Sequence, residues 1–165
     1  MSDSESAPQV GVIMGSNSDW PVMKNTIATL DKLGIANEAR VISAHRTPAR
    51  LDEYCKTAKQ RGIKVIIAGA GMAAALPGAA AAITPLPVLG VPLEGKLMGG
   101  LDALLAMAQM PGGIPVGAFA VGKAGATNAA VMAASILATS DDGVAARLDE
   151  FRAAQSAGVP EVPHD

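Results

Sequence analysis

Near the start of the chain stands the sequence Val10-Gly-Val-Ile-Met14, followed directly by Gly15-Ser-Asn-Ser-Asp19. The first half is a continuous apolar run, which is typical of a strand buried on both faces of a parallel sheet. The second half joins a glycine to residues that favour the start of a helix, with Ser18 predicted as the N-cap and Asp19 in the first turn. A strand, a polar loop and a helix in this order predict the first unit of an α/β fold.

The same succession recurs along the chain. Further strands are predicted at residues 39–43, 64–68, 87–91 and 114–121. Helices are predicted between residues 18 and 34, 47 and 62, 74 and 83, 100 and 109, 126 and 139, and 142 and 157. This alternation predicts a five-stranded, parallel, doubly wound sheet with helices on both faces and an additional C-terminal helix. A single domain is expected over residues 10–157, with a disordered segment before it (1–9) and an extended tail after it (158–165).

Composition restricts the class of protein. Half of the 165 residues are hydrophobic but only 2% are aromatic, so aliphatic side chains and methionine must build the core. The formal net charge is −2 and no basic cluster is present, which argues against nucleic-acid binding. There is no signal peptide pattern and no apolar run long enough to span a bilayer, so we expect a soluble cytoplasmic protein with no membrane partner. The one cysteine, Cys55, lies on an apolar helical face and is expected to be a core thiol.

Three loops are candidates for a ligand site. In open parallel sheets, ligands bind beyond the carboxyl ends of the strands, close to the point where the strand order reverses. Loops 15–19, 43–47 and 69–74 follow the first three predicted strands and are rich in polar or glycine residues. The helix predicted at 126–139 is apolar nearly all round, and in so small a protein this favours burial between subunits of a homo-oligomer.

Two of these loops carry side chains with evident chemistry. Glycine followed by Ser16 and Ser18 at a helix N-terminus suits a phosphate, and Asp19 suits sugar hydroxyls. In the second loop Arg46 suits paired hydrogen bonds with phosphate, and His45 can exchange protons near neutral pH. Simpler interpretations stay open, namely that loop 15–19 only caps a helix and that loop 43–47 is a solvated turn with a capping threonine.

The remaining candidates are weaker. Small residues in loop 69–74 let a flat ring approach the backbone, but they serve close helix–sheet packing equally well. Glu94 has no acidic or histidine partner nearby in sequence, so neither a metal site nor a carboxylate pair is predicted there. No role is assigned to Lys96 or Asp102.

Several stretches, in order and covering residues 10–155, resemble the PurE family of purine biosynthesis, the N5-carboxyaminoimidazole ribonucleotide mutases. The matching stretches include Met14-Gly-Ser-Asn-Ser-Asp-Trp20, Ser43-Ala-His-Arg-Thr-Pro48, Ile66-Ile-Ala-Gly-Ala-Gly71, Pro87-Val-Leu-Gly-Val-Pro92 and Gln109-Met-Pro111. The first two are highly specific. The resemblance therefore identifies the chain as a member of this family.

The resemblance implies a flavodoxin-like three-layer sandwich, assembled as a homo-octamer with sites at subunit contacts, and a reaction that needs neither metal nor organic cofactor. It implies an isomerase that moves a carboxylate from the exocyclic nitrogen of aminoimidazole ribonucleotide to the adjacent ring carbon. By match to the motifs, the proton is handled by His45, the phosphate is bound by Ser16, Ser18, Ser43 and Arg46, the ribose is bound by Asp19, and the base pocket is lined by the backbone of Gly71 and Ala74.

The third loop departs from the family pattern. Ala75 stands where the family usually has histidine, Met72 where it commonly has glycine, and Ala79 where methionine is frequent. These departures leave the phosphate- and ribose-binding half of the site intact and alter the half that contacts the imidazole ring. Two alternatives to the mutase therefore stay open, a paralogue with another substrate or reaction and a non-catalytic nucleotide-binding oligomer.

Overall fold

The structure, a computed structural model, describes residues 7–163. Within that range the strands are β1 (Val10–Met14), β2 (Asn37–Val41), β3 (Val65–Ala70), β4 (Val88–Pro92) and β5 (Gly117–Ala118). The α-helices are α1 (Trp20–Lys32), α2 (Pro48–Ala58), α3 (Leu76–Ile83), α4 (Leu101–Ala108), α5 (Lys123–Ala138) and α6 (Asp142–Ala157). Strands and helices alternate as predicted, and α6 is the additional C-terminal helix.

The strands form one parallel sheet in the order β2-β1-β3-β4-β5. The order reverses between β1 and β3, because β2 lies on one side of β1 while all later strands lie on the other. This is the strand order of flavodoxin-like folds, whose ligand crevice opens at the reversal point. The predicted flavodoxin-like, doubly wound sheet is thus confirmed.

Helices cover both faces of the sheet. Side chains that alternate along the strands divide between two cores, with Val12 and Met14 packed under α1, α5 and α6, and Ile13 packed under α2, α3 and α4. Successive side chains of a strand point to opposite faces, so a strand covered on both faces has to be apolar throughout. This is why β1 and β3 appear in the sequence as continuous apolar runs.

Two edge strands differ from their predictions. β2 lies at Asn37–Val41 rather than 39–43, because it pairs with β1 from Asn37 onward and the chain turns away at Ser43. β5 is confined to Gly117–Ala118 rather than 114–121, because only Gly117 and Ala118 have ladder partners in β4. Upstream, the backbone N–H of Ile114 donates to the carbonyl of Pro111, which closes a turn instead of extending the strand.

The burial of α5 is explained within the chain. This helix lies on the sheet between α1 and α6, and its small side chains Ala126, Ala129, Ala130 and Ala133 are fully buried there. The inner side of this helix is therefore covered without a second subunit, while Met132 on its other side is exposed and stays available for the expected contact between subunits. The homo-oligomer itself stays a prediction.

The chain is tied to the sheet from Gln9, whose N–H donates to the carbonyl of Ala36 and whose carbonyl accepts from the N–H of Lys64, both at 2.8 Å. Residues 1–6 of the predicted disordered segment and the last two residues of the predicted tail lie outside the described residues. Residues 158–163 form neither helix nor strand and are exposed. Among the helices of residues 7–163, none has the length and apolar character required to cross a membrane.

Candidate functional site

A cavity of about 650 Å³ opens at the carboxyl ends of the central strands. It is lined by all three predicted loops and by the loop that follows β4. All eight site residues predicted from the sequence line it: Ser16, Ser18, Asp19, Ser43, His45, Arg46, Gly71 and Ala74. The strand-order reversal brings together the loops after β1 and β3, as the topology rule predicts.

The loop after β1 is held by a capping box around a single 3₁₀ turn, Asn17–Asp19. The N–H of Ser16 donates to the Asp19 carboxylate at 2.9 Å, and the N–H and hydroxyl of Ser18 donate to Ser16 Oγ at 3.2 and 2.9 Å. The side-chain cap is therefore Ser16, which caps the 3₁₀ turn, and not Ser18, whereas Asp19 takes the N-cap position of α1 without a side-chain hydrogen bond to that helix. Ser18 lies exposed on the wall of the cavity.

Asp19 lies half-buried at the base of the same loop. Its burial raises the carboxyl pKa above the usual 3.8, although the N–H groups of Ser16 and Gly15 and the charge of Arg46 act in the opposite direction. The carboxylate has one oxygen engaged by the loop. Its acceptor capacity suits a neutral hydroxyl donor better than an anion.

The loop after β2 is closed by Thr47. Its hydroxyl accepts from the N–H of Ser43 at 2.9 Å and donates to the Ser43 carbonyl at 3.0 Å. Thr47 occupies the N-cap position of α2, as predicted, but its side chain makes no hydrogen bond to the helix. The threonine thus fixes a tight turn that exposes His45 at its tip.

Arg46 connects the first two loops. Its backbone N–H and its Nε both donate to Ser43 Oγ, at 3.1 and 3.2 Å, and its Nη2 donates to the carbonyl of Gly15 at 3.2 Å. Because Ser43 Oγ accepts both bonds, its own proton stays available to a ligand oxygen. A cation, hydroxyls and a helix start therefore converge on one end of the cavity, and this combination suits a phosphate.

The loop after β3 forms the opposite wall. The N–H of Ala74 donates to the carbonyl of Gly71 at 3.0 Å, and two non-glycine residues, Met72 and Ala74, take left-handed backbone conformations with φ of 56° and 42°. This conformation is why α3 starts at Leu76 and not at residue 74. Ala75, with an ordinary φ of −70°, takes the N-cap position and lines the cavity.

The loop after β4 contributes two residues to which sequence reasoning gave no role. Leu93 extends the pairing of β3 and β4, as its N–H donates to the carbonyl of Ala70 at 3.0 Å. Glu94 follows it and lies exposed at the rim of the cavity. The available signal was its place directly after the fourth strand, next to β3 in the sheet. Residues 7–163 contain no group of three His, Cys, Asp or Glu side chains arranged to hold a metal ion.

Comparison with known proteins gives a consistent result. Residues 9–157 match the AIR carboxylase family. The chain is similar to the N5-carboxyaminoimidazole ribonucleotide mutase of Brucella melitensis, with 58% identity over 154 residues that cover 93% of this chain and 95% of the relative. The mutase of Bacillus subtilis is 56% identical, over 88% of this chain and 90% of the relative. A crystal structure of Treponema denticola PurE superposes with a TM-score of 0.83 at 25% identity, covering 91% of this chain and 92% of that one.

Proposed function

Since the chain belongs to the AIR carboxylase family, we propose that it is an N5-carboxyaminoimidazole ribonucleotide mutase, an isomerase of purine biosynthesis. The observation that carries the proposal is the single cavity in which His45 lies beside the phosphate-suited end formed by Ser16, Ser43 and Arg46. Relatives that bear this name match the chain over nearly its whole length.

The cavity offers a distinct environment to each part of a ribonucleotide. Arg46 with the hydroxyls of Ser16, Ser18 and Ser43 binds the phosphate, and Asp19 accepts hydrogen bonds from the ribose hydroxyls. The backbone of Gly71 and Ala74 lines the space for the aminoimidazole ring. The proposal is supported by the loop after β3, where the side chains other than Met72 are small and leave a flat ring room to approach the backbone.

The reaction is an isomerisation in which one carboxylate changes its attachment. The bond between the exocyclic nitrogen and the carboxylate carbon breaks, which releases CO2 and returns the electron pair to the nitrogen as it takes a proton. The adjacent ring carbon then attacks CO2, and the proton that this carbon carries leaves. Over the cycle one proton is gained by nitrogen and one is lost by carbon, so the enzyme needs no net proton.

His45 is the residue proposed to handle that proton. It lies at the tip of a turn locked by Thr47 and projects at the cavity wall next to the phosphate site. Imidazole is suited to the task because its ordinary pKa lies near neutrality, where it can both donate and accept. CO2 also has to be held until it is recaptured, which favours a site shielded from water.

The proposal extends to the assembly and location of the enzyme. A homo-octamer in the cytoplasm, working without metal or organic cofactor, agrees with the family resemblance. Large apolar side chains that lie exposed on the single chain, among them Trp20, Leu105 and Met132, are available for contacts between copies. Light scattering of the purified protein tests the oligomeric state directly.

A second candidate function is favoured by one observation, the replacement of the usual family histidine by Ala75 on the cavity wall. Such a change suits a paralogue that acts on a related ribonucleotide by another carboxylate reaction. The half of the cavity that suits phosphate and ribose would serve such an enzyme without change.

Interconversion of the N-carboxy and C-carboxy aminoimidazole ribonucleotides, followed by ultraviolet absorbance, tests the proposal. We expect rapid turnover by the unmodified protein, because His45 supplies the proton transfer and Ala75 does not take part. An Ala75→His variant serves as the comparison, and its ordinary backbone conformation should accommodate the ring. Activity found only in the variant would contradict the mutase and favour the paralogue.

A further inference from the structure

Met72 combines two features that are unfavourable in a free protein. Its backbone has a φ of 56°, in the left-handed region that non-glycine residues avoid, and its apolar side chain is 75% exposed. Strained positions of this kind persist where the surrounding structure enforces them, and they cluster at ligand-binding sites. The strain is enforced here by the turn in which the N–H of Ala74 donates to the carbonyl of Gly71.

Met72 is also unlike the rest of its loop. From Gly71 to Ala75, every other residue is glycine or alanine, so Met72 is the one side chain long enough to reach across the cavity. It lines the cavity opposite the cationic end built around Arg46. A thioether chain has several rotatable bonds and a polarisable sulfur, which suits contact with a flat aromatic ring.

We propose that Met72 is a specificity-determining residue that folds over the ring of the bound ribonucleotide and shields it from water. This inference rests on the mutase proposed above. Ligand binding then buries the apolar surface that the free protein exposes. In this chain Met72 covers a base pocket from which the polar side chain at position 75 is missing, so the ring and the released CO2 meet an apolar wall.

Methionine oxidation tests this directly, because its rate follows solvent exposure. Met98 is a matched control, since it is also 75% exposed and also has a left-handed backbone, with φ of 48°, but does not line the cavity. The protein is treated with hydrogen peroxide with and without saturating aminoimidazole ribonucleotide, and peptides are quantified by mass spectrometry. We expect about fivefold slower oxidation of Met72 with ligand and an unchanged rate at Met98.

Glycine variants provide the second readout. Met72→Gly and Met98→Gly both relieve a left-handed strain, so both should raise Tm. Only Met72→Gly should lower kcat/KM, by about tenfold, whereas Met98→Gly should stay close to the unmodified protein.

The outcomes separate the two proposals. Suppose that calorimetry detects ribonucleotide binding and the protein turns over. If the ligand then does not protect Met72 from oxidation and Met72→Gly does not lower kcat/KM, only the role of Met72 is overturned. Binding without turnover overturns the mutase, and protection of Met72 then still supports the shielding role. No binding of the ribonucleotide overturns both.

Discussion

The guanidinium of Arg46 donates a hydrogen bond from Nη2 to the carbonyl oxygen of Gly15, 3.2 Å away, and so joins the loop after β2 to the loop after β1. The same side chain donates from Nε to Ser43 Oγ at 3.2 Å. These bonds orient the cation before a ligand arrives. A phosphate that binds here therefore meets a pre-organised donor, which reduces the entropy cost of binding.

Arg46→Ala should weaken the binding of phosphorylated ligands by tenfold or more, about 1.4 kcal/mol, because a charge-assisted contact is lost. Arg50→Ala is the control, since Arg50 lies close in sequence and is exposed but does not line the cavity. Calorimetry with a ribonucleotide and with its dephosphorylated nucleoside is the measurement. An equal loss for both ligands would contradict a phosphate role for Arg46.

His45→Asn should abolish turnover while ribonucleotide affinity stays within about tenfold, or 1.4 kcal/mol, of the unmodified protein. Asparagine keeps a polar side chain of similar reach at the tip of the turn but cannot exchange a proton near neutral pH. Steady-state kinetics and calorimetry on the same preparation separate the two effects. Collapse of affinity would instead make His45 a binding residue.

Gly11→Ala should destabilise the fold by about 1–3 kcal/mol, because the added methyl group would overlap the hydroxyl of Tyr54. This hydroxyl is buried beside Glu38 and Arg61 and has no partner of regular hydrogen-bond geometry among the described residues, so Tyr54→Phe removes the overlapping atom at a stability cost that the single variant measures. Urea unfolding of the single variants and the double variant measures the coupling. Gly112→Ala, where nothing lies within 4 Å of the added group, is the control.

If the steric account of Gly11 is right, Tyr54→Phe should restore part of the stability that Gly11→Ala removes. Strict additivity of the two changes would contradict it.

Glu38 should stabilise the fold at neutral pH. Burial alone would raise its carboxyl pKa, but the hydrogen bond from Arg61 and the charges of Arg61 and Arg40 bring the pKa below its ordinary 4.5. A folded-state pKa below the unfolded one gives stability that is present above about 4.5 and is lost as pH falls through the folded value. The free energy of unfolding, measured from about pH 3 to 7 so as to span this loss, should fall less steeply towards acid pH in Glu38→Gln than in the unmodified protein. Identical pH profiles would contradict the assignment.

The fold could be predicted because its central strands are covered on both faces. The runs around Val12 and Ile66 have to be apolar throughout, and such runs are visible without any knowledge of tertiary contacts. At the edges this signal weakens. The predicted position of β2 was two residues too late, since register there is set by pairing with β1, which local sequence does not encode.

The candidate site was predictable to the level of its residues but not of its bonds. Polar residues after the strands pointed to Ser16, His45 and Arg46, all of which line the cavity. The capping role was predicted for Ser18 instead of Ser16, although Ser16 and Asp19 have the Ser-x-x-Asp spacing of a capping box, a signal that sequence reasoning missed. Glu94 was given no role because its neighbours in the cavity come from distant parts of the chain.

The division of the cavity between loops has a consequence for how such a scaffold can change over time. The cationic end depends on loops after β1 and β2 that are bonded to each other through Arg46 and Gly15, whereas the opposite wall is one short loop after β3. Substitutions from Met72 to Ala75 can therefore alter which ring is accepted while the anchoring end keeps its geometry. Evolution, or directed selection on a library confined to those positions, can explore new substrates without first rebuilding the means of holding them.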